Sequence, residues 1–283
     1  LVQALRAAVQ LGIPTVVRGE SNALQPRSAL KATGHRVLLS LYDAFVGIGQ
    51  ANRAFYEERG VPADRIFDGG YFVDEEHFLA AAEQERPLRD EHREGWGIPA
   101  SACCFLFAGK LQEKKRPLDF VRALAAAAHA APAAVHGLVV GAGDLDADVR
   151  AEAASLGAPV SFAGFLNQGE IGRAYAASDV LVLPSDWGET WGLVVNEAML
   201  FGLPAVVSDR VGCGPDLVES GRTGFVSPFA DVGALAATMI RLAREPQERE
   251  AMGRRACETV RGYSPRRGAL ATLAAARRAA RGG

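Results

Sequence analysis

The chain has 283 residues, 49% of them hydrophobic, and a formal net charge of −2. That length suits two domains, and a near-neutral balance argues against general nucleic-acid binding. No apolar run reaches the roughly 18 residues of a membrane-spanning helix, and no signal-peptide pattern opens the chain.

The first residues, LVQALRAAVQLG, read as a helix entered part-way. The chain starts on Leu1 rather than Met, so the expectation is a protein shortened at its N-terminus. Candidate strands follow at PTVVRG (14–19), RVLLSL (36–41), AFVGIG (44–49) and RIFDGG (65–70), with helices between them. Residues 1–80 therefore read as the back half of an α/β domain. The charged stretch 81–97 reads as a linker.

From residue 98 the pattern is regular. The strands expected are CCFLFAG (103–109), GLVVGAG (137–143), PVSFAG (159–164), VLVLPS (180–185), PAVVSD (204–209) and GFVSP (224–228). Helical stretches are expected at 118–129, 145–155, 168–177, 193–201 and 216–220. The strands lack period-2 alternation, the mark of a parallel sheet covered on both faces. Residues 98–262 thus read as a doubly wound α/β domain. Helices are expected at 232–244, 247–261 and 266–281. The last, in a segment 263–283 rich in Arg, reads as a solvated basic helix, with contact to an anionic membrane surface as the functional alternative.

Cys103, Cys104, Cys213 and Cys257 show neither CxxC spacing nor a His in ligand register. They read as reduced thiols of a cytosolic protein. The chain holds 27 Arg but four Lys, and three of those, Lys110, Lys114 and Lys115, fall within six residues. Their loop, GKLQEKKRP (109–117), follows a strand and precedes a helix. Ligands bind at such loops in open α/β sheets, and compact ammonium charges suit a diphosphate.

Residues 184–199 read PSDWGETWGLVVNEAM. A helix is expected to start near Gly192, where free N–H groups and partial positive charge favour phosphate. Glu189 lies just before that start and Glu197 in the second turn. Eight residues of continuous helix would separate them by about 12 Å, too far to favour an acid/base pair. Carboxylates also accept bonds from vicinal hydroxyls, so two of them could flank a phosphate site. GAGD (141–144) lacks the third glycine of a dinucleotide fingerprint, since Asp146 stands there. Asp144 reads as a helix N-cap rather than half of a metal-binding DxD.

Together, GKLQEKK, VGAGD, FAGF, PSDWGETWGLVVNEAMLFGLPAVVSD and GRTGFVSP resemble the donor domain of retaining GT-B glycosyltransferases with an E-x7-E motif, the glycosyl transferases group 1. The resemblance covers about residues 103 to 262, and more loosely 14–80. It implies two Rossmann-like domains, the first incomplete here, and a nucleotide-diphosphate sugar as co-substrate without a metal. It places Lys110 and Lys115 on the donor diphosphate, Glu189 on hydroxyls of the donor sugar and Glu197 on the ribose. It gives Gly109, Gly188, Thr190, Trp191, Gly192 and Leu193 to donor binding, with backbone N–H groups near Gly192 and Leu193 meeting the diphosphate. The acceptor would be a sugar, a lipid-linked molecule or a small molecule. A non-catalytic nucleotide-sugar-binding piece is the alternative, and a Rossmann oxidoreductase a remote one.

Overall fold

The computed structural model describes residues 2–131 and 134–282. The chain forms two compact units, one of residues 1–73 with 262–283 and one of residues 74–261. Among the described residues no helix is long and apolar enough to cross a membrane.

The first unit runs α1 (Val2–Gln10), β1 (Val16–Arg18), α2 (Ala29–Leu39), β2 (Ala44–Gly47), α3 (Gln50–Glu57) and β3 (Ile66–Asp68). The strands form a parallel sheet in the order β1-β2-β3. Alternation along β2 sends Phe45 to one face, against Leu39, Phe55 and Tyr56. Ala44 and Val46 go to the other face, against Ala275 and Ala279 of the C-terminal helix Pro265–Gly282.

Two expectations change here. RVLLSL is not a strand but the tail of α2, whose N-cap Ser28 accepts from the Lys31 N–H at 3.5 Å. A strand would place Val37, Leu39 and Leu41 on one face. Leu39 is buried, whereas Val37 is 62% and Leu41 45% exposed. Short apolar runs do not by themselves distinguish helix from strand. The basic C-terminal segment is not a separate element either. It supplies the second helical layer of this sheet, because alanines at 271, 275 and 279 make a flat stripe that sits close to the strands. Arg278 pairs with Asp64 at 3.0 Å, and Arg267 donates to the Asp68 carbonyl at 3.2 Å.

The second unit begins with α4 (Glu75–Glu85) and α5 (Arg89–Gly95). These replace the expected linker, and both pack on the helices that follow. Charge misled the linker reading. Arg89 donates to the carbonyls of Ala176 at 2.6 Å and Ser178 at 2.9 Å, and to Asp179 at 2.9 Å. Arg93, 4% exposed, reaches the Pro99 carbonyl at 2.7 Å. Here guanidiniums cap carbonyl ends inside the fold instead of solvating a spacer.

Next come β4 (Cys103–Ala108), α6 (Pro117–Ala130), β5 (Val135–Val140), α7 (Asp146–Leu156), β6 (Val160–Gly164), α8 (Ile171–Ala177) and β7 (Val180–Leu183). They are followed by α9 (Leu193–Leu200), β8 (Ala205–Ser208), α10 (Gly214–Leu217), β9 (Gly224–Ser227), α11 (Val232–Arg244) and α12 (Pro246–Val260). All six expected strands form, and every pairing is parallel in the order β6-β5-β4-β7-β8-β9. Every residue of β4, β5, β7 and β8 is buried, which accounts for their unbroken apolar runs. On one face Phe105, Phe107 and Val139 meet Phe120, Leu124 and Met239. The helix expected at 216–220 lies two residues earlier, with Pro215 in its first turn. Asp144 does not cap α7; the flanking residue is Leu145, without a side-chain cap. Instead Asp146 pairs with Arg150 one turn on, at 2.8 Å.

The strand order fixes where a ligand would sit. The chain moves outward from β4 through β5 to β6, then returns to β7 on the other side of β4. The crevice at the carboxyl ends of β4 and β7 is the topological switch point. The loops that leave these two strands are the basic loop after Ala108 and the Trp/Glu loop after Leu183.

Candidate donor site at the switch point

The basic loop is held by its backbone. Gly109 N–H donates to the Val140 carbonyl at 3.0 Å, and Leu111 N–H to Ala142 at 3.1 Å. Leu145 N–H returns a bond to Leu111 at 3.0 Å. This contact explains GAGD better than any dinucleotide role does. Gly141 has φ +137°, and a Cβ there would lie 1.9 Å from the Gly109 carbonyl oxygen. The motif is the seat on which the basic loop rests. From that seat Lys115 reaches the second loop and pairs with Glu189. Lys115 is 14% and Glu189 13% exposed, so the pair is largely shielded from water. Ser185 Oγ donates to the same carboxylate at 3.4 Å. Lys110 is exposed on the loop.

The second loop is equally constrained. Glu189 N–H donates to the Asp186 carbonyl at 3.0 Å, and Gly188 N–H to the Asp186 carboxylate at 2.6 Å. Asp186 N–H donates in turn to Lys114 of the basic loop at 2.8 Å. The loop after β8 braces the other side, where Gly212 and Cys213 N–H groups donate to Glu189 and Trp191, both at 3.0 Å. Gly192 then turns the chain into α9 with φ +103°, a left-handed value that a side chain would resist. Val195 N–H closes the first helical bond on Gly192 at 2.9 Å. Thr190 and Leu193 are half-buried beside this turn. The first N–H groups of any helix have no intrahelical acceptor, so this entry brings partial positive charge to the switch point.

Glu197 occupies the second turn of α9, and Tyr175 of α8 donates its hydroxyl to Glu197 Oε2 at 2.6 Å. Burial raises the Glu197 carboxyl above the usual range, and the Tyr175 bond and the His77 charge only partly oppose this. Burial likewise raises the Tyr175 phenol well above its usual value, with the Glu197 charge adding to it. Thus the structure brings Lys115, Glu189, Gly188 and Gly192 together on two interlocked loops and sets Glu197 on the helix they lead into.

One expected contact changes role. Trp191 is 2% exposed, and its Nε1–H donates to Asn196 at 2.8 Å. Its ring is core beneath the loop rather than a wall of a donor pocket. Trp187 is the half-exposed tryptophan of this loop. Arg210 Cζ lies 3.7 Å from its ring centroid and 3.6 Å from that of Phe229. Sequence reasoning missed this stack and Tyr175, since their partners come from four separate loops and helices. Only the placement of Glu197 on the apolar side of its helix hinted that it needed a buried partner.

Comparison with known proteins agrees with this geometry. The family model for glycosyl transferases group 1 matches residues 89–259. The D-inositol 3-phosphate glycosyltransferase of an Arthrobacter species is 32% identical over 191 residues, 66% of this chain and 45% of that protein. The sulfoquinovosyl transferase of Arabidopsis thaliana is 41% identical over 110 residues, 38% of this chain and 21% of that protein. The chain spans about half the length, or less, of these curated relatives. Among solved structures, the Anabaena HepE protein in complex with UDP and glucose superposes with a TM-score of 0.74 at 20% identity. That match covers 96% of this chain and 74% of HepE. Sucrose-phosphate synthase of Thermosynechococcus elongatus gives a TM-score of 0.73 at 21% identity, over 99% and 72% of the two chains. With its family match covering more than half its length and its two parallel α/β sheets in the GT-B pattern, the chain belongs to the glycosyl transferases group 1.

Proposed function

We propose that the protein transfers a sugar from a nucleotide-diphosphate sugar to an acceptor hydroxyl, with retention at the anomeric carbon. The observation that carries this is the Lys115–Glu189 pair at the switch point, beside the entry of α9. Relatives named as glycosyltransferases and a fold neighbour solved with UDP and glucose support the same reading.

In this reading the diphosphate lies between the basic loop and the first turn of α9. Lys115 then exchanges its carboxylate partner for phosphate oxygens, with Lys110 as the second cation. Glu189, released from Lys115, accepts hydroxyls of the donor sugar, and Glu197 accepts those of the ribose. The bond from the anomeric carbon to the diphosphate oxygen breaks, and the electron pair leaves on the nucleoside diphosphate. A new bond forms to the acceptor oxygen, whose proton passes to the departing diphosphate. Positive groups fixed where the leaving charge develops lower the barrier most. The lysines and the helix entry carry this charge without a metal ion.

Calorimetry with UDP and product analysis with UDP-glucose test the reading. UDP binding that Glu197→Ala weakens, followed by a product of unchanged anomeric configuration, supports it. Equal UDP affinity in Glu197→Ala, Lys115→Ala and the parent chain would overturn it.

A further inference from the structure

The loop between β1 and α2 covers two clefts of about 480 and 270 Å³ that share Gln25, Pro26 and Arg27. Lys31 and His35 also line the first, and Arg36, Glu58 and Arg59 the second. Among the described residues Glu58 is the one carboxylate lining either cleft, and Arg59 Nη1 already meets its Oε2 at 3.3 Å. Arg27, Lys31 and Arg36 thus outnumber the lining carboxylates, with Glu58 acting on Arg27 as well as on Arg59.

Phe55 gathers these groups. The Arg59 and Arg27 guanidiniums lie 3.8 and 4.8 Å from its ring centroid, and the His35 ring packs edge-on at 5.4 Å. Arg27 Nη1 donates to the carbonyls of Asn22 at 2.6 Å and Gln25 at 3.1 Å, which fixes its position without neutralising it. Among the described residues two buried nitrogens here have no hydrogen-bond partner, His35 Nδ1 and Arg59 Nε, and Arg59 is 8% exposed. The crowding has a visible effect: burial, then Arg27, Arg59 and Lys31, hold the His35 imidazole below its usual pKa. The entry of the 11-residue α2 at Ser28 adds helix-dipole charge to the first cleft.

An excess of cations over carboxylates, orphaned buried nitrogens and a helix entry around a concave surface are the chemistry of oxyanion recognition. We infer that this unit binds the phosphoryl group of a phosphate monoester, at a site separate from the donor diphosphate. Lys31, Arg36 and Arg27 supply the charge, and His35 gains a proton as the anion arrives.

The test uses the full chain with UDP at saturation, so that the donor site is filled, and glycerol 3-phosphate as the probe. Should UDP fail to bind, the same titration without it reads this site alone. Calorimetry is expected to show binding that Lys31→Ala with Arg36→Ala weakens about tenfold or more, the usual effect of losing charge-assisted bonds, while UDP affinity stays unchanged. Both side chains are exposed, so the fold tolerates their loss. In proton NMR the His35 resonance, assigned with His35→Gln, should titrate at higher pH in the presence of the probe. A parallel arm uses vesicles of phosphatidylcholine with and without phosphatidic acid. Sedimentation only with phosphatidic acid, lost in the double variant, together with no binding of glycerol 3-phosphate, identifies a lipid headgroup as the source of the phosphate. Binding of neither probe, or binding indifferent to the double variant, overturns the inference.

Discussion

Tyr175 Oη lies 2.6 Å from Glu197 Oε2, so a fully buried phenol on α8 holds the carboxylate that we propose meets the donor ribose. The two residues are 22 positions apart. Tyr175→Phe removes one hydrogen bond while keeping the ring against Phe201. UDP affinity should fall about threefold to tenfold, in line with a single buried bond near 1 kcal/mol. Calorimetry with UDP checks this, with thermal unfolding as the control for stability.

Glu197 also sets a pH dependence. Its folded pKa is raised by burial, so the folded state holds this proton more tightly than the unfolded chain does. Folding stability therefore falls as pH rises from the ordinary carboxylate range through the raised value. Glu197→Gln removes that loss. The variant should gain stability relative to the parent at pH 7 but not near pH 4, while binding UDP more weakly. Urea midpoints at the two pH values decide the matter.

The Lys115–Glu189 pair predicts opposite kinetic signatures. Lys115→Ala should weaken UDP binding but leave uridine binding alone, since its charge meets only phosphate. Glu189→Gln should keep UDP affinity within a few-fold yet lower kcat by about a hundredfold or more, the scale of losing a group that acts in the transition state. An excess of EDTA should change neither binding nor turnover if, as proposed, the lysines carry the charge. Calorimetry with UDP and with uridine reads the binding outcomes, and turnover assays with UDP-glucose read the rest.

Gly141→Ala tests the seat of the basic loop. The new Cβ would fall 1.9 Å from the Gly109 carbonyl oxygen, at φ +137°. The backbone must shift, at a cost of about 1–3 kcal/mol. The urea midpoint should drop with an unchanged m-value, and UDP affinity should fall with it as Lys115 moves.

Trp191→Phe separates core from site. It removes the 2.8 Å bond to Asn196 and leaves a void beneath the loop. Stability should fall by about 1–3 kcal/mol, and UDP affinity measured well below the unfolding transition should stay within twofold. A large loss of affinity with little loss of stability would return Trp191 to the donor pocket.

The donor-side sheet was legible in the sequence alone, because strands buried on both faces must be continuous β-rich apolar runs, and β4, β5, β7 and β8 are such runs. It also marked the two loops of the site, since clustered lysines and a glycine-flanked glutamate at strand ends have few other physical uses. Elsewhere local pattern was ambiguous. The Val37–Leu41 run suits a strand as well as a helix until the Ser28 cap and the core around Leu39 decide. Residues 81–97 look like a charged spacer until Arg89 and Arg93 find the carbonyls of Ala176 and Ala177, far along the chain. The alanines of the last helix say nothing about the sheet that they cover. Only the tertiary structure joined Lys115 to Glu189, across 74 positions, and Tyr175 to Glu197. Burial and charge pairing act through space, and a one-dimensional spacing does not record which distant side chain fills the low-dielectric surroundings of a carboxylate.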